Sequence, residues 1–358
     1  MELALYHSEL GYYARASQRS GRAGDFFTSV DVGPIFGELL AAQIAEMAVL
    51  LQTSDFRLQT FDLVEAGAGN GRLSADVLRA LKRDRPDTFD RVRLHLVEAS
   101  GAARADQAGT LADVAERVAS TGASLPDAFE GVLVANELLD AMPVHQVTMS
   151  EEGLKEVYVT VHSQQSTVDR RSTENCELST VLGPPSSPRL SEYFARLGIT
   201  LEVGWNAEVN LRAPEWIEDA ARRLRRGFII LIDYGHEARE LYSATHASGT
   251  LTTFSGHRAG DGGEWLQRPG EQDITSHVDW TSVRAAAEAA GLEAIAFLDQ
   301  TYFLLGLLPS IRNPQTSIRH LKTLLMPGAL GSTMKVLILG KGVGRPPLLG
   351  TSFKVRAT

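Results

Sequence analysis

Glu65-Ala66-Gly67-Ala68-Gly69-Asn70-Gly71 is the most informative stretch of this 358-residue chain. It directly follows the apolar run Phe61-Asp62-Leu63-Val64, and apolar residues recur at three- and four-residue steps from Leu73 to Leu81 behind it. This order predicts a strand, a glycine turn and a crossover helix that ends near Pro86. Glycine lets the turn adopt positive φ and lets a ligand approach without meeting a Cβ. The turn is therefore predicted to hold a nucleotide-like cofactor.

The spacing of the glycines indicates which cofactor this is. A dinucleotide fingerprint has glycines at G-x-G-x-x-G, whereas this turn has E-x-G-x-G-x-G. S-adenosylmethionine carries no phosphate and presents an ammonium, a carboxylate and a sulfonium, so an acid at the strand end, Glu65, suits it. We predict S-adenosylmethionine as cofactor and S-adenosylhomocysteine as its product, bound at Glu65, Gly67, Gly69 and Gly71. The alternative is a glycine turn that holds no ligand.

A second acidic residue lies at the end of the next predicted strand. The apolar segment from Val92 to Val97 ends in Glu98-Ala99-Ser100, and Glu98 lies 27 residues after Gly71, which fits one βαβ unit. In nucleotide-binding α/β sheets such a carboxylate accepts both ribose hydroxyls. We predict this role for Glu98, with Ala99 beside the cofactor. The alternative is an ordinary exposed acid at a strand end.

Composition limits the function classes. The chain has 35 Lys and Arg against 44 Asp and Glu, a formal charge of −9, which argues against a nucleic-acid backbone as the main partner. The single cysteine, Cys176, excludes internal disulfides, and the nine histidines include no pair at i,i+4, so no metal site is predicted. No run of 18 apolar residues occurs, and the expectation is a soluble cytoplasmic protein without membrane contact.

Changes in pattern along the chain predict its organisation. Residues 144–200 contain alternating segments broken by polar stretches and read as a β-rich insertion, which could serve substrate or dimer contacts. Residues 1–55 read as an N-terminal helical cap or lid, residues 56–143 and 201–340 as a cofactor-binding Rossmann-like domain, residues 236–275 as a substrate or lid loop, and residues 341–358 as a loosely ordered tail.

A basic run lies after the insertion, in a helix predicted to open at Pro214. Its last turn is expected to hold Arg222, Arg223, Arg225 and Arg226, followed by Gly227. Basic residues there complement the helix dipole, and glycine suits the position after a helix end. The run therefore indicates a helix end more than a nucleic-acid patch.

Several segments together resemble one family, the class I methyltransferase relatives of the mitochondrial complex I assembly methyltransferase, called MidA in some organisms, and this chain looks like a bacterial member. The resembling segments are Gly11-Tyr12-Tyr13, Gly24 to Ser29, Phe36-Gly37-Glu38, Glu65 to Gly71, Asn136 to Pro143, Asp233-Tyr234-Gly235, Gly249-Thr250-Leu251 and Pro269 to Trp280. The resemblance implies an α/β fold with a seven-stranded sheet, helices on both faces and a last pair of antiparallel strands. It also implies protein-arginine methylation, although bacterial relatives could act on other proteins or on small metabolites.

The segment after the predicted strand Gly131 to Ala135 supplies the expected catalytic residues. If the acceptor is arginine, a carboxylate would hold the guanidinium by a bidentate pair and polarise one nitrogen. Glu137 is the first choice, and Asp140 shares the task if a helical turn begins there. Asn136 is expected to touch the cofactor's methionine end or the substrate. The alternative for Asn136 and Glu137 is helix capping.

Two further groups of residues are predicted with an alternative for each. Asp25, Thr28 and Ser29 are expected to bind the cofactor or to form a lid, and the alternative is a tight turn that caps the next helix. His277 could be a general base, and the alternative is a helix-start residue.

Three functions are therefore compatible with the sequence. The main one is a methyltransferase that acts on a protein side chain, at an arginine nitrogen. The alternatives are an O- or N-methyltransferase of a small metabolite and a non-catalytic assembly factor that retains the cofactor fold. A homodimer could form through an edge strand of the insertion.

Overall fold

The computed structural model describes residues 1–15, 28–52, 59–163, 176–255, 258–260, 264–311, 318–326 and 333–353. The strands within these ranges are β1 (Phe61–Ala66), β2 (Val92–Val97), β3 (Val118–Gly122), β4 (Phe129–Asn136), β5 (His145–Ser150), β6 (Gly153–Ser163), β7 (Cys176–Gly183), β8 (Asn206–Val209), β9 (Leu224–His236), β10 (Thr252–Ser255), β11 (Arg258–Ala259), β12 (Asp273–Thr275), β13 (Val278–Asp279), β14 (Glu293–Asp299) and β15 (Met334–Lys341). The α-helices are α1 (Glu2–Tyr6), α2 (Tyr12–Arg15), α3 (Ile35–Leu50), α4 (Arg72–Asp84), α5 (Pro86–Phe89), α6 (Gly101–Thr110), α7 (Pro188–Leu197), α8 (Arg212–Arg223), α9 (Ala238–Leu241), α10 (Trp280–Ala289), α11 (Gln300–Leu307) and α12 (Ile318–Leu325).

The central sheet confirms the predicted α/β fold. Its strand order is β14-β15-β9-β4-β1-β2-β3, and the two-residue strand β13 pairs with the end of β9 as an eighth strand. The strands β3, β2, β1, β4 and β9 are mutually parallel, whereas β15 lies antiparallel between β9 and β14. Because parallel strands end at the same edge, the loops after β1, β2, β4 and β9 meet there.

Helices cover both faces of the sheet, because alternate residues of the strands face opposite sides. Leu63 and Val132 belong to a core with α3, α4 and α11. Their neighbours Val64 and Leu133 belong to a second core with α8 and α10. The helix predicted after the first strand is thus confirmed, since α4 buries the apolar residues whose spacing predicted it.

The N-terminal residues pack against the segment between β9 and α10. Leu5 of α1, Tyr12 of α2 and Ile274 of β12 form a small buried cluster, with Trp265 partly buried beside it. The strands β10, β11 and β12 form a three-stranded sheet in this segment. The predicted loop at 236–275 is therefore partly regular structure.

The β-rich insertion extends beyond its predicted end at residue 200. Its antiparallel sheet has the order β7-β6-β5-β8, and β8 (Asn206–Val209) pairs with β5. Helix α7 packs on this sheet through Leu190 and Phe194. The insertion therefore runs to Val209, because its last strand returns to the sheet only after α7.

The predicted helix end at the basic run is right for Arg222 and Arg223, which lie in the last turn of α8, but wrong for the residues after them. Helix α8 ends at Arg223, and Arg225, Arg226 and Gly227 belong to β9. Gly227 has a φ of +142°, and a Cβ there would overlap the carbonyl oxygen of Gly131 on β4. Glycine at this position therefore serves strand packing and not helix capping.

The expectation of a loosely ordered tail is also wrong for residues 341–353. Leu348 is buried, and the main-chain N–H of Gly350 donates to Gln43 Oε1 of α3 over 2.9 Å. The N–H of Leu349 donates to Glu46 Oε2 over 2.8 Å. The segment is fixed because these contacts satisfy its backbone against α3.

Candidate active site

A cavity of about 520 Å³ lies at the carboxyl ends of β1, β2 and β4. Pockets of this volume accommodate cofactor-sized ligands. Among the residues with predicted roles, the following line it: Thr28, Glu65, Gly67, Gly69, Glu98, Ala99, Asn136 and Glu137. The cavity therefore brings together residues from the glycine turn, the second strand end and the loop after β4.

The glycine turn has the conformation that its composition predicted. Gly67, Gly69 and Gly71 have φ angles of +73°, +52° and +84°. A Cβ on Gly69 would meet no atom within 4 Å, so the cavity side of Gly69 is open, whereas a Cβ on Gly67 would lie 3.2 Å from Leu138 Cδ1. Gly71 does not line the cavity: it is the N-cap residue of α4, and a Cβ there would lie 2.9 Å from Leu111 Cδ1.

Glu65 is buried near the end of β1 and connects this strand to the helix that follows the glycine turn. Its Oε2 accepts hydrogen bonds from the main-chain N–H of Ser74, over 3.1 Å, and from the Ser74 hydroxyl. Burial raises the pKa of Glu65 to about 7. The hydrogen bonds from Ser74 partly oppose this rise, because they favour the ionised form. Glu65 thus anchors the start of α4 and also lines the cavity.

Glu98 fixes the other side of the turn. Its Oε2 accepts the main-chain N–H of Gly69 over 2.8 Å, and its Oε1 accepts the N–H of Ser100 over 2.7 Å. The side-chain amide of Gln107 donates to the carbonyl of Gly69 over 2.9 Å, so both backbone groups of this glycine are held. The predicted contact of Glu98 with ribose hydroxyls stays a prediction.

Glu137 occupies an unusual backbone position at the end of β4. Its φ is +52°, and its main-chain N–H donates to the carbonyl of Ile232 over 2.8 Å. Its Oε1 accepts the Asn136 side-chain amide over 3.0 Å and lies 3.4 Å from the main-chain N of Ser29. Loss of solvent, followed by the charge of Asp233, raises the pKa of Glu137 to about 8. No helix begins here, so the capping alternative for Asn136 and Glu137 is wrong.

Asp233, near the end of β9, holds the loop after Glu137. Its Oδ2 accepts the main-chain N–H groups of Leu138, Leu139 and Asp140 over 3.1, 2.8 and 3.3 Å. Burial raises the pKa of Asp233 to about 7. Asp233 belongs to a segment that carries the family resemblance, but no role was predicted for it, and its position after an apolar strand was the available signal.

Asp140 belongs to this loop, and its side chain is buried and does not line the cavity. The predicted helical turn is absent, and its Oδ1 has no hydrogen-bond partner within the described chain. Burial, with the charges of Asp233 and Glu137, raises the pKa of Asp140 well above its ordinary value. A direct contact with the acceptor therefore requires the loop to move, and the observed position suits an electrostatic role.

Aromatic and basic residues that were not predicted complete the cavity. Tyr6 and Tyr13 line it, and their rings stack with centroids 5.3 Å apart. The Tyr6 hydroxyl donates to the carbonyl of Ala141 and the Tyr13 hydroxyl to Asp273 Oδ1, each over 2.9 Å. Arg212 and Trp216, from α8, also line the cavity. Tyr13 belongs to a resembling segment, but α8 lies too far along the chain for spacing to connect it with the cavity.

The segment before α3 contains a short 3₁₀ turn, Ser29–Val32, with Thr28 as its N-cap. Thr28 lines the cavity, and its N–H and hydroxyl donate to Asp31 Oδ2 over 3.0 and 2.9 Å. The Ser29 hydroxyl is buried and donates to Gln300 Oε1 over 3.1 Å, away from the cavity. The turn alternative thus describes Ser29 better than a direct cofactor contact. Asp25 lies outside the described residues.

His277 does not line the cavity and does not start a helix. It precedes β13, and Asp279 is the N-cap of α10 instead. The side chain of His277 lies beside His236 and His246, and one ring nitrogen from each lies within 4.8 Å of the others. Burial lowers the pKa of His277 to about 4. Spacing could not show this cluster, because its members come from three separate segments of the chain.

None of the helices that the structure describes has the length and apolar character needed to span a membrane.

Comparison with known proteins agrees with this geometry. A family model described as "Putative S-adenosyl-L-methionine-dependent methyltransferase" matches residues 39–298. The protein arginine methyltransferase NDUFAF7 of Mus musculus is 29% identical over 85% of this chain and 68% of its own length, and its Drosophila melanogaster homologue is 27% identical over 100% and 79%. A crystal structure of a "likely methyl transferase from Burkholderia thailandensis bound to S-adenosyl-homocysteine" has a TM-score of 0.83 and 29% identity, and covers 99% of this chain and 90% of that one.

The residues present fit this cofactor. The open face of Gly69 leaves room against the turn, while Glu65, Glu98 and Asn136 place polar groups around it. S-adenosylmethionine is the cofactor, and its sulfonium supplies an electrophilic methyl group when it is bound. The enzyme is an S-adenosylmethionine-dependent methyltransferase, and the chain belongs to the methyltransferase family whose model spans residues 39–298.

Proposed function

We propose that this enzyme methylates a nitrogen of an arginine side chain in a protein. The observation that carries the proposal is the group of carboxyls formed by Glu137, Asp140 and Asp233 after β4 and β9. Within the described residues, none of the three has a lysine or arginine within ion-pair distance. Desolvated carboxyls without a cation favour binding of a positively charged group, and a guanidinium presents one in a planar, bidentate form.

Glu137 is the residue that would hold the guanidinium, because it alone of the three lines the cavity. Asn136 donates to its Oε1 over 3.0 Å, which orients the carboxylate. When one guanidinium nitrogen gains a methyl group, it loses a proton. Glu137 is suited to take up that proton, since its pKa of about 8 lies close to neutral pH. Asp233 positions Glu137 through the backbone of the loop that follows it.

The relatives support the same acceptor. The mouse and fly proteins are both named protein arginine methyltransferases, at 29% and 27% identity. A small-metabolite acceptor has no comparable support from a particular contact in the cavity.

The N-terminal helices and the segment 236–275 would cover the acceptor side. Tyr6 and Tyr13 line the cavity, and Tyr13 is tied to Asp273 of the segment. Glu2 of α1 pairs with Arg212 of α8 over 2.5 Å, which joins these two helices beside the cavity. This exposed ion pair is weak and can open to admit a peptide.

The cytoplasmic location and the pairing of two copies through the insertion remain predictions. The single cysteine supports a reducing compartment. The edge strand β7 carries exposed Val181 and Leu182, which would suit pairing.

The proposal is tested by methyl transfer to an acceptor proteome. Radiolabelled S-adenosylmethionine and the purified enzyme are added to an extract of cells that lack the gene, and labelled proteins are hydrolysed for amino-acid analysis. We expect the label in methylarginine, with loss in Glu137→Gln but not in Glu152→Gln, which changes an exposed acid in the β5–β6 turn. Label in another amino acid or only in small metabolites would refute the arginine assignment.

A further inference from the structure

Three histidines from separate parts of the chain converge outside the cavity. His236 ends β9, His246 ends the short 3₁₀ turn Ala244–His246, and His277 directly precedes β13. Their ring centroids lie 4.8, 5.3 and 6.0 Å apart, and all three residues are half-buried. The rings are tilted by 38° to 68° and are not stacked in parallel. One ring nitrogen from each histidine lies within 4.8 Å of the other two.

Hydrogen bonding leaves nitrogen lone pairs free in this cluster. His246 Nδ1 lies 3.0 Å from the carbonyl oxygen of Glu240, which fixes the proton on Nδ1 and leaves Nε2 as the lone pair. Metal-bound histidines commonly donate their second N–H to a carbonyl in this way. His277 Nδ1 is buried and has no hydrogen-bond partner in the described chain.

The remaining member has an acidic neighbour. His236 Nδ1 lies 3.1 Å from Glu240 Oε1, at ion-pair distance but without hydrogen-bond geometry. Glu240 therefore contacts two of the three histidines, one through its carbonyl and one through its carboxylate. A buried nitrogen without a partner costs free energy, so the arrangement is incomplete as a hydrogen-bond network.

We propose that His236, His246 and His277 bind a divalent transition-metal ion, with Zn²⁺ as the best match, and that Glu240 or water takes the fourth position. Three imidazoles with a carboxylate or water are a common donor set for zinc. Zn–N bonds of about 2.0–2.1 Å in a tetrahedron place the nitrogens about 3.3 Å apart. The ligand atoms lie within 4.8 Å of one another, so small rotations of the rings would close the site.

Such an ion would be structural and would support the active site indirectly. It would tie the end of β9, the turn at 244–246 and the segment before β13 together. The residue before His277, Ser276, donates its N–H to the carbonyl of Asp140 over 3.1 Å. The ion would therefore stabilise a segment that contacts the loop after Glu137, without touching the cavity.

Metal titration of the full chain, purified without a histidine tag and stripped with a chelator, tests the proposal. We expect calorimetry to show one Zn²⁺ per chain, and Co²⁺ to give the visible absorption bands of a tetrahedral site. His246→Ala and His277→Ala should each weaken Zn²⁺ binding by at least about 100-fold, since even the loss of a supporting hydrogen bond weakens metal sites by about 10–100-fold.

The matched control is His162→Ala, which removes an exposed histidine of β6 that hydrogen-bonds to Ser179. It should leave Zn²⁺ affinity unchanged. S-adenosylhomocysteine binding by His246→Ala shows that this variant is folded. Absence of saturable one-site binding by the wild type, an octahedral Co²⁺ spectrum, or equal Zn²⁺ affinity in the folded His246→Ala variant and the wild type would overturn the proposal.

Discussion

Glu137 combines a costly backbone conformation with a poorly solvated carboxyl. A non-glycine residue at positive φ costs roughly 1–2 kcal/mol, and such residues persist where their surroundings hold them. Here the N–H of Glu137 is bound by Ile232, and the next three N–H groups are bound by Asp233. The strained backbone conformation and these hydrogen bonds thus fix the position of the carboxyl at the cavity wall, as expected of a group that orients a substrate.

The first prediction concerns the charge of Glu137. In the free enzyme its pKa is about 8, so the ionised form that holds a guanidinium becomes more abundant as pH rises through 8. We expect kcat/KM for an arginine peptide to rise with pH and to level off above about 8. Glu137→Gln should lower kcat/KM by about 10²–10⁴-fold and remove this pH dependence. Initial rates between pH 6.5 and 9 provide the measurement.

Glu152→Gln is the control for this change, because it neutralises an exposed acid in a distant turn. Affinity for S-adenosylhomocysteine should stay within a few-fold of wild type in both variants. If Glu137→Gln keeps the wild-type pH profile, Glu137 does not hold the acceptor.

The second prediction concerns Gly69, whose missing side chain keeps the cavity open. Gly69→Leu should weaken cofactor binding by at least about 100-fold, because a side chain would project from the turn into cofactor space. Gly198→Leu provides a control, since Gly198 also has positive φ, at +64°, and a Cβ added to it would meet no atom within 4 Å, but it ends α7. Both variants should lose roughly 1–2 kcal/mol of stability, from the same φ penalty. Equal cofactor affinity in the two variants, measured by calorimetry, would contradict the prediction.

Local spacing was sufficient to predict the glycine turn and the acid at the end of β2, but not the residues that position the loop after β4. The glycine turn and Glu98 are predictable because strand, turn and helix follow one another within a single βαβ unit. Asp233 binds N–H groups 93 to 95 residues away, and His236, His246 and His277 meet only through tertiary folding. Such long-range contacts depend on the order of the strands in the sheet, and the spacing of apolar residues along the sequence does not reveal that order.

At the scale of elements, apolar periodicity predicted the central strands and their covering helices. It failed between Arg223 and Gly227, where a basic run and a glycine suggested a helix end but β9 already begins. The physical reason is the close approach of β4, whose Gly131 carbonyl leaves no room for a Cβ at Gly227. A tertiary contact therefore overrides the local signal for a helix C-terminus.

The segment 342–353 yields the third prediction. Gly350 packs on the buried ring of Phe303 in α11, and a Cβ there would overlap that ring. Gly350→Val should lower the free energy of unfolding by about 1–3 kcal/mol through overpacking, without changing cofactor affinity. Urea unfolding gives the first quantity and calorimetry the second.

Gly109→Val is the matched control, since a Cβ at this position of α6 meets no atom within 4 Å. Its stability should remain close to wild type. Equal stability of the two variants would mean that residues 342–353 are not docked against α11 in solution.

At the scale of the whole molecule, the topology of the sheet concentrates carboxyl groups at one edge. Glu65 and Asp233 lie near the carboxyl ends of parallel strands and Glu137 directly follows one. Their pKa values are raised to about 7, 7 and 8, in each case mainly by burial. Ionisation of these buried carboxyls therefore destabilises the ligand-free fold at the edge where a cationic cofactor and a cationic acceptor would bind. Stability without ligand should therefore depend on pH in a defined direction.

The fourth prediction follows from the sign of these shifts. A carboxyl whose pKa is higher in the folded state than in the unfolded state binds more protons when folded, so the free energy of unfolding decreases as pH rises toward the folded pKa. The pKa values of His236 and His277 are lowered in the folded state, so these residues make the free energy of unfolding increase with pH, but only below about pH 6.5. Between pH 6.5 and 8.5 the ligand-free protein should therefore lose stability, by on the order of 1 kcal/mol.

Comparison of wild type with Glu137→Gln isolates the contribution of Glu137. Other groups that titrate in this window are the same in both proteins, so their contributions cancel. The variant should show a smaller decrease in the free energy of unfolding between pH 6.5 and 8.5, measured by urea titration at each pH. Identical slopes would show that Glu137 is solvated in the free enzyme, and the electrostatic argument for cation binding would then have to rest on Asp140 and Asp233 alone.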